Sequence, residues 1–264
     1  MKNRVLAKIQ QAQVNHKKLF CAFLTLGFPD LKTTEHLIKE FEKIGVDFVE
    51  LGFPFSDPLA DGPTIQFSSE RALEKGTRLR DAFELVRRLR RQGIQIPILF
   101  FGYLNPIYHH GIQRFVTEAK QSGFDGLIIP DLPPEEESEL AAECRRQNLV
   151  QVYLVAPTTE KKRAALIARQ SQGFIYYVSL RGVTGARRAL PRDLKNRLKT
   201  FRQLTHKPLL VGFGVSTPGQ AKEMARFSDG VIVGSALIEK LRQARGKTTK
   251  VIPFVREMIQ AVKG

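Results

Sequence analysis

The sequence is short of several things, and each shortage closes off a class of function. No run of about 18 apolar residues occurs, so no membrane-spanning helix can be read. The first residues, Met1-Lys-Asn-Arg-Val-Leu-Ala-Lys-Ile-Gln-Gln11, are polar and lack the apolar stretch of a secretion signal. The expected location is the cytoplasm. Cysteine is scarce: Cys21 falls in an apolar strand-like run and Cys144 in a helical one, with no metal or redox spacing between them. Two buried or half-buried free thiols in a reducing cytosol fit that pattern. Acids are short too. Lys and Arg number 42 against 26 Asp and Glu, a net charge of +16, which raises the question of an anionic partner. The basic residues are spread over Arg87-Arg88-Leu-Arg90-Arg91, Arg145-Arg146, Lys161-Lys-Arg163 and Arg187-Arg188, mostly on helical segments. No aromatic residues interleave with them, and no helix-turn-helix or zinc-finger motif accompanies them. They read as a solvated basic surface, with no nucleic-acid role.

What is present is a repeating α/β pattern. Short apolar runs at residues 19–26, 48–51, 97–101, 124–129, 149–155, 174–179, 208–212 and 230–234 read as strands. They lack clean alternation, as parallel strands buried on both faces do. Helical periodicity separates them: Leu37, Phe41 and Ile44; Ala82, Leu85, Val86 and Leu89; Ile112, Phe115, Val116 and Ala119. Further helices are expected at 134–147, from Thr159 to about 170, and at 191–203, 218–227, 236–244 and 250–262. Eight such units predict a (β/α)8 TIM barrel, with an extra N-terminal helix over 3–14 and extra short helices after strands two and eight. An open doubly wound sheet is the rival, but the glycine-rich loop it carries after its first strand is missing. No linker or low-complexity segment interrupts the chain, so residues 1–264 read as one domain.

The stretch Asp47-Phe-Val-Glu50-Leu-Gly-Phe-Pro54-Phe-Ser-Asp57-Pro58-Leu-Ala-Asp61-Gly-Pro63-Thr-Ile-Gln66 organises the rest. Glu50 lies in the second strand, where a carboxylate is expected half-buried and is costly unless used or paired. The loop after it is stiffened by three prolines and carries Asp57 and Asp61. Thr64 reads as the N-cap of the next helix. Two acids in different surroundings can titrate apart and take different proton-transfer roles. Asp57 and Asp61 also fit ordinary turn residues.

In a TIM barrel the chemistry sits at the C-terminal strand ends. Glu50, Tyr103, Asn105, Asp131, Tyr176, Gly212-Phe213-Gly214 and Gly234-Ser235 all fall there. Glycines at a strand end, with Ser235 opening a helix, suit a phosphate, although tight turns explain them as well. The loop after strand six, residues 180–191, carries Arg181, Arg187 and Arg188 and reads as a lid or as a solvated basic loop. His109-His110 has no carboxylate or cysteine partner at ligand spacing, so no metal site is expected. Phe23, Phe101, Tyr103 and Phe213 read as core, or as walls for a flat apolar ligand.

The stretch 50–66 resembles the signature of the tryptophan synthase alpha chain family. Thr25-Leu-Gly27, Tyr103-Leu-Asn105-Pro106, Pro130-Asp131-Leu-Pro133, Ala156-Pro-Thr158, Gly182-Val-Thr-Gly185, Gly212-Phe-Gly214 and Gly234-Ser235 look like family landmarks in family order. The resemblance implies retro-aldol cleavage of indole-3-glycerol phosphate to indole and glyceraldehyde 3-phosphate, without metal or cofactor of the chain's own. By resemblance, Glu50 is the general acid–base, Asp61 holds the ring nitrogen, and Tyr176 lies beside the reacting centre. Phe23, Phe101, Ile128 and Phe213 line the indole pocket, and Thr184 bonds the loop carboxylate on closure. Gly185, Gly214, Gly234 and Ser235 cradle the phosphate. Pro54, Phe55, Asp57, Leu59 and Asn105 face a pyridoxal-phosphate beta chain in an α2β2 tetramer. Phe101, Gly102 and Arg181 look atypical for the family. The alternative is a catalytically weak subunit that mainly activates a beta chain. Burial should raise the pKa of Glu50.

Overall fold

The computed structural model describes residues 3–136, 139–178, 194–212 and 214–264. One sheet of parallel strands dominates: β1 (Leu19–Thr25), β2 (Phe48–Gly52), β3 (Ile98–Phe101), β4 (Gly126–Ile128), β5 (Val150–Val152), β6 (Leu154–Val155), β7 (Ile175–Val178), β8 (Leu209–Gly212) and β9 (Gly230–Val233). The spatial order is β5-β4-β3-β2-β1-β9-β8-β7-β6. The two ends of that order, β5 and β6, are consecutive in the chain, so the sheet curls back on itself. This is the expected TIM barrel, with the fifth strand split in two. Tyr153 causes the split. Its amide donates to the Ser171 hydroxyl at 3.1 Å. The strand therefore pairs with β4 before Tyr153 and with β7 after it.

Helices wrap the outside: α1 (Arg4–Val14), α2 (Leu31–Ile44), α3 (Pro63–Glu74), α4 (Leu79–Arg91), α5 (Leu104–His110), α6 (Ile112–Ser122), α7 (Glu139–Arg146), α8 (Lys161–Gln170), α9 (Leu194–Arg202), α10 (Pro218–Ala225), α11 (Ser235–Gln243) and α12 (Thr248–Lys263). Their apolar stripes face the barrel. In α4, Ala82, Leu85, Val86 and Leu89 are buried while Arg87, Arg88 and Arg91 stay outside. α1 packs Val5 and Ile9 into the core near Gly173 and Val150, closing the N-terminal end of the barrel. The extra helices after the second and eighth expected strands are α3 and α11.

Several local expectations are corrected. The third expected strand also carries an extra helix, α5, which the sequence did not announce. Gly62, not Thr64, is the N-cap of α3, because Pro63 takes the first helical position, where its fixed φ and missing N–H fit. Among the described residues, 134–136 form a turn and the helix starts at Glu139. Thr159 does not cap α8, whose N-cap is Glu160; its hydroxyl accepts the Ala156 amide at 3.0 Å.

The N-terminal end of the barrel repeats one device. Asp47, just before β2, accepts the Phe20 amide of β1 at 2.8 Å. Asp125, just before β4, accepts the Ile98 amide of β3 at 2.9 Å. Asp229, just before β9, accepts the Leu209 amide of β8 at 2.7 Å. Each aspartate satisfies the first or second amide of the preceding strand and so sets the register of a pair. Asp125 is also held by Arg90 at 2.8 Å and Arg4 at 3.0 Å. This end carries structure and leaves the other end free for chemistry.

Candidate active site

Glu50 projects into the barrel from β2, in register with Phe23 of β1 and Leu99 of β3. It is fully buried, not half-buried as the sequence implied, because all five residues of β2 are covered. Both carboxylate oxygens lack a hydrogen-bond partner among the described residues. Burial pushes its pKa up to about 8, and the nearby Cys21 thiol pulls weakly the other way without reaching hydrogen-bond geometry. A carboxyl group here is protonated at neutral pH.

Asp61 hangs over the same mouth from the β2–α3 loop. The loop is fixed by the Asp61 amide donating to Pro58 O at 3.1 Å, and by Gln66 Nε2 donating to Asp61 O at 2.9 Å. Asp61 is buried, and desolvation raises its pKa to about 6, with the nearby Tyr103 hydroxyl opposing the rise. Two carboxyl groups thus titrate about two units apart at one strand end.

Tyr176 of β7 is buried across the barrel. Its pKa is raised by burial and then by the charges of Glu50, Cys21 and Asp61. Gly212 makes room for it: a Cβ there would lie 2.5 Å from the Tyr176 hydroxyl. Phe23 and Phe101 meet edge to face at 5.4 Å between ring centroids, and Ile128 pairs in register with Phe101. Gly52 and Gly234 flank the Phe23 ring; a Cβ on Gly52 would come within 2.4 Å of it. These residues form one apolar wall beside Glu50.

Gly214 follows β8 with φ +86°, a conformation that favours glycine. Gly234 is the N-cap of α11 and Ser235 its first residue. These strand-end positions present backbone amides and a helix N-terminus, chemistry suited to an anion. Thr184, Gly185 and Phe213, with Arg181, Arg187 and Arg188, lie outside the described residues.

On the outer rim, Leu59 is 89% exposed and Phe55, Asp57 and Asn105 are accessible. Pro54 is buried, so it supports this face from beneath. Tyr108, 71% exposed and one turn of α5 beyond Asn105, extends the same rim and was not singled out in the sequence.

Sequence reasoning also undervalued Tyr103. Its hydroxyl accepts the Ala60 amide at 3.0 Å, beside Asp61, and its ring packs on Phe55 at 5.4 Å. Only its position in the loop after the third strand hinted at this. Asp131 serves structure here: its carboxylate accepts the Leu104 amide at 3.0 Å and caps α5. His110 meets Glu118, eight residues on, at 3.2 Å.

Known proteins of similar sequence and fold share one description. The sequence profile described as "Tryptophan synthase alpha chain" matches residues 9–263. A tryptophan synthase alpha chain from a Geobacter species is 48% identical over 244 residues, covering 92% of this chain and 91% of the relative. Its counterpart in Thermoanaerobacter pseudethanolicus is 44% identical over 261 residues, covering 99% and 96%. The tryptophan synthase subunit alpha structure from Legionella pneumophila superposes with a TM-score of 0.92 at 36% identity, covering 99% of each chain. A structure of Mycobacterium tuberculosis tryptophan synthase gives 0.91 at 30% identity, covering 100% of each.

Proposed function

The chain belongs to the tryptophan synthase alpha chain family, a carbon–carbon lyase of tryptophan biosynthesis, and on that premise we propose how its own residues divide the work. The substrate is indole-3-glycerol phosphate. Protonated Glu50 gives its proton to the ring carbon that bears the glycerol chain, which turns the ring into its indolenine form. The ring nitrogen becomes positive, and ionised Asp61 holds it through the N–H. Glu50, now a carboxylate, takes the proton of the adjacent glycerol hydroxyl. The C–C bond breaks, its electron pair returns to the ring, and the products are indole and glyceraldehyde 3-phosphate. Glu50 ends protonated, ready for the next turn.

The observation that carries this reading is the split of the two acids. Glu50, near 8, holds a proton at neutral pH, and Asp61, near 6, does not. Tyr176 closes the site beside them. Phe23, Phe101, Ile128 and Phe213 receive the indole ring. Gly185, Gly214, Gly234 and Ser235 take the phosphate, and Thr184 meets the loop carboxylate. The steps use side chains alone, so the chain needs no cofactor of its own and no metal; pyridoxal phosphate belongs to the beta chain.

The rim of Phe55, Asp57, Leu59 and Asn105, backed by Pro54, is the face for a tryptophan synthase beta chain in an α2β2 tetramer. An exposed Leu59 at the tip of a proline-stiffened loop suits such docking. Among the described residues no helix is long and apolar enough to cross a membrane, and we place the enzyme in the cytoplasm.

Incubating the purified chain with indole-3-glycerol phosphate, with and without a beta chain, tests the reading. Release of glyceraldehyde 3-phosphate that rises with the partner is expected. Release that is already fast alone points to a free-standing indole producer. No release in either case leaves only an activating subunit and overturns the catalytic assignment.

A further inference from the structure

Cys21 is not part of the chemistry described above, yet it lies against its centre. It sits on β1 two residues before Phe23, and Phe23 is the register partner of Glu50. Side chains two apart on a strand share a face, so Cys21 lies under Phe23, diagonal to Glu50 and on the structural side of it. Both residues are completely buried. Glu50 has two oxygens and, among the described residues, no formed hydrogen bond. A carboxyl without partners tolerates burial while protonated, but its carboxylate does not. The cycle requires that carboxylate to exist, briefly, in the same place.

We propose that Cys21 is a positioning residue whose thiol hydrogen-bonds the Glu50 carboxylate once the proton has left, holding it toward the hydroxyl it must deprotonate. This rests on Glu50 being the acid–base of the reaction. The thiol is suited to the part. Burial and the neighbouring acids push its own pKa well up, so the sulfur keeps its proton and remains a donor. A thiol is a weak donor, so it helps the anion without trapping it. A hydroxyl at this position would bind the carboxylate more firmly and leave Glu50 ionised too early. The other titratable groups facing the pair are Tyr176 from β7, Asp61 from the loop above and Asp47 at the foot of β2. The facing strands β3, β4, β8 and β9 carry no titratable side chain.

The test uses the full chain with Cys21→Ser and Cys21→Val, and Cys21→Ala should the valine variant fail to fold. Two readouts are followed: the NMR titration of the labelled Glu50 carboxyl, assigned by its loss in Glu50→Gln, and the upper limb of the pH profile of kcat/KM. Serine should move both down and valine or alanine should move both up, each by about half a pH unit or more. A packing role alone would lower activity in both variants and leave the titration in place. Unmoved titrations, or shifts of the same sign in both variants, overturn the proposal while a dead Glu50→Gln leaves the lyase assignment standing. Full turnover by Glu50→Gln sinks that assignment and the positioning role with it.

Discussion

Tyr103 ties the Asp61 loop to the end of β3: the tyrosine hydroxyl accepts the amide of Ala60, the residue before Asp61, at 3.0 Å. One phenol thus fixes the backbone of the loop that carries the second acid and lies near enough to lower the pKa of that acid. Its ring also packs on Phe55, on the exposed rim. A partner seated on that rim would act on Asp61 through Tyr103.

Removing the hydroxyl should therefore loosen Asp61 without emptying the pocket. Tyr103→Phe loses the hydroxyl that lowers the Asp61 pKa, so that pKa should climb above about 6. The lower limb of the kcat/KM profile then moves to higher pH, and kcat/KM at pH 7 falls by about ten-fold. Steady-state rates from pH 5 to pH 9 check this; an unmoved lower limb would separate Tyr103 from Asp61.

The unsubstituted enzyme should show a bell. Activity needs Asp61 ionised, which fails below about pH 6, and Glu50 protonated, which fails above about pH 8. Asp61→Asn should abolish the lower limb and cut kcat by roughly 10²–10⁴-fold. A flat profile between pH 5 and pH 9 would contradict the assignment of roles.

Stability should trade against that function. The native pKa of Glu50 is raised, so between about pH 4.5 and pH 8 the folded state keeps a proton that the unfolded state releases. Stability from this group is full below its unfolded pKa and declines as pH rises to about 8. Glu50→Gln lacks the decline. Urea unfolding should find the variant about 1–3 kcal/mol more stable than the parent at pH 9, and close to it at pH 4.5. An equal difference at both pH values would show that Glu50 titrates normally.

Gly212→Ala tests the space around Tyr176. The added methyl would sit 2.5 Å from the hydroxyl and 2.8 Å from the ring, so the tyrosine must move. Displacement on the order of 1 Å can cost about 10²-fold in rate, and the crowding about 1–3 kcal/mol in stability. Turnover at the parental rate would place Tyr176 outside the reacting zone.

At the other end of the barrel, Asp125→Ala should act on folding alone. It strips the largely covered Arg90 of its carboxylate and frees the Ile98 amide, a loss of about 3–5 kcal/mol. Chemical denaturation measures the loss, and kcat of the folded fraction should be unchanged.

The barrel was legible because its signal is redundant: apolar runs and helical stripes recur along the chain, so an error at one boundary changes nothing. Glu50 and Asp61 were legible because a carboxylate in an apolar strand and another in a proline-rich loop are unusual. What could not be read was adjacency across the barrel. Cys21 and Tyr103 lie 29 and 42 residues from the acids beside them, and only the pairing of β1 with β2 and of β2 with β3 brings them together. α5 escaped because it is seven residues long and is capped by Asp131 from a different loop. The break at Tyr153 escaped because its cause, Ser171, stands beyond the next helix.

The most direct test is the single-turnover rate of indole formation from indole-3-glycerol phosphate by the parent chain, Glu50→Gln and Asp61→Asn, with saturating substrate and a beta chain present. The account predicts that the parent turns over and that each variant slows by roughly 10²-fold or more while still binding substrate. A Glu50→Gln chain that forms indole at the parental rate would contradict it.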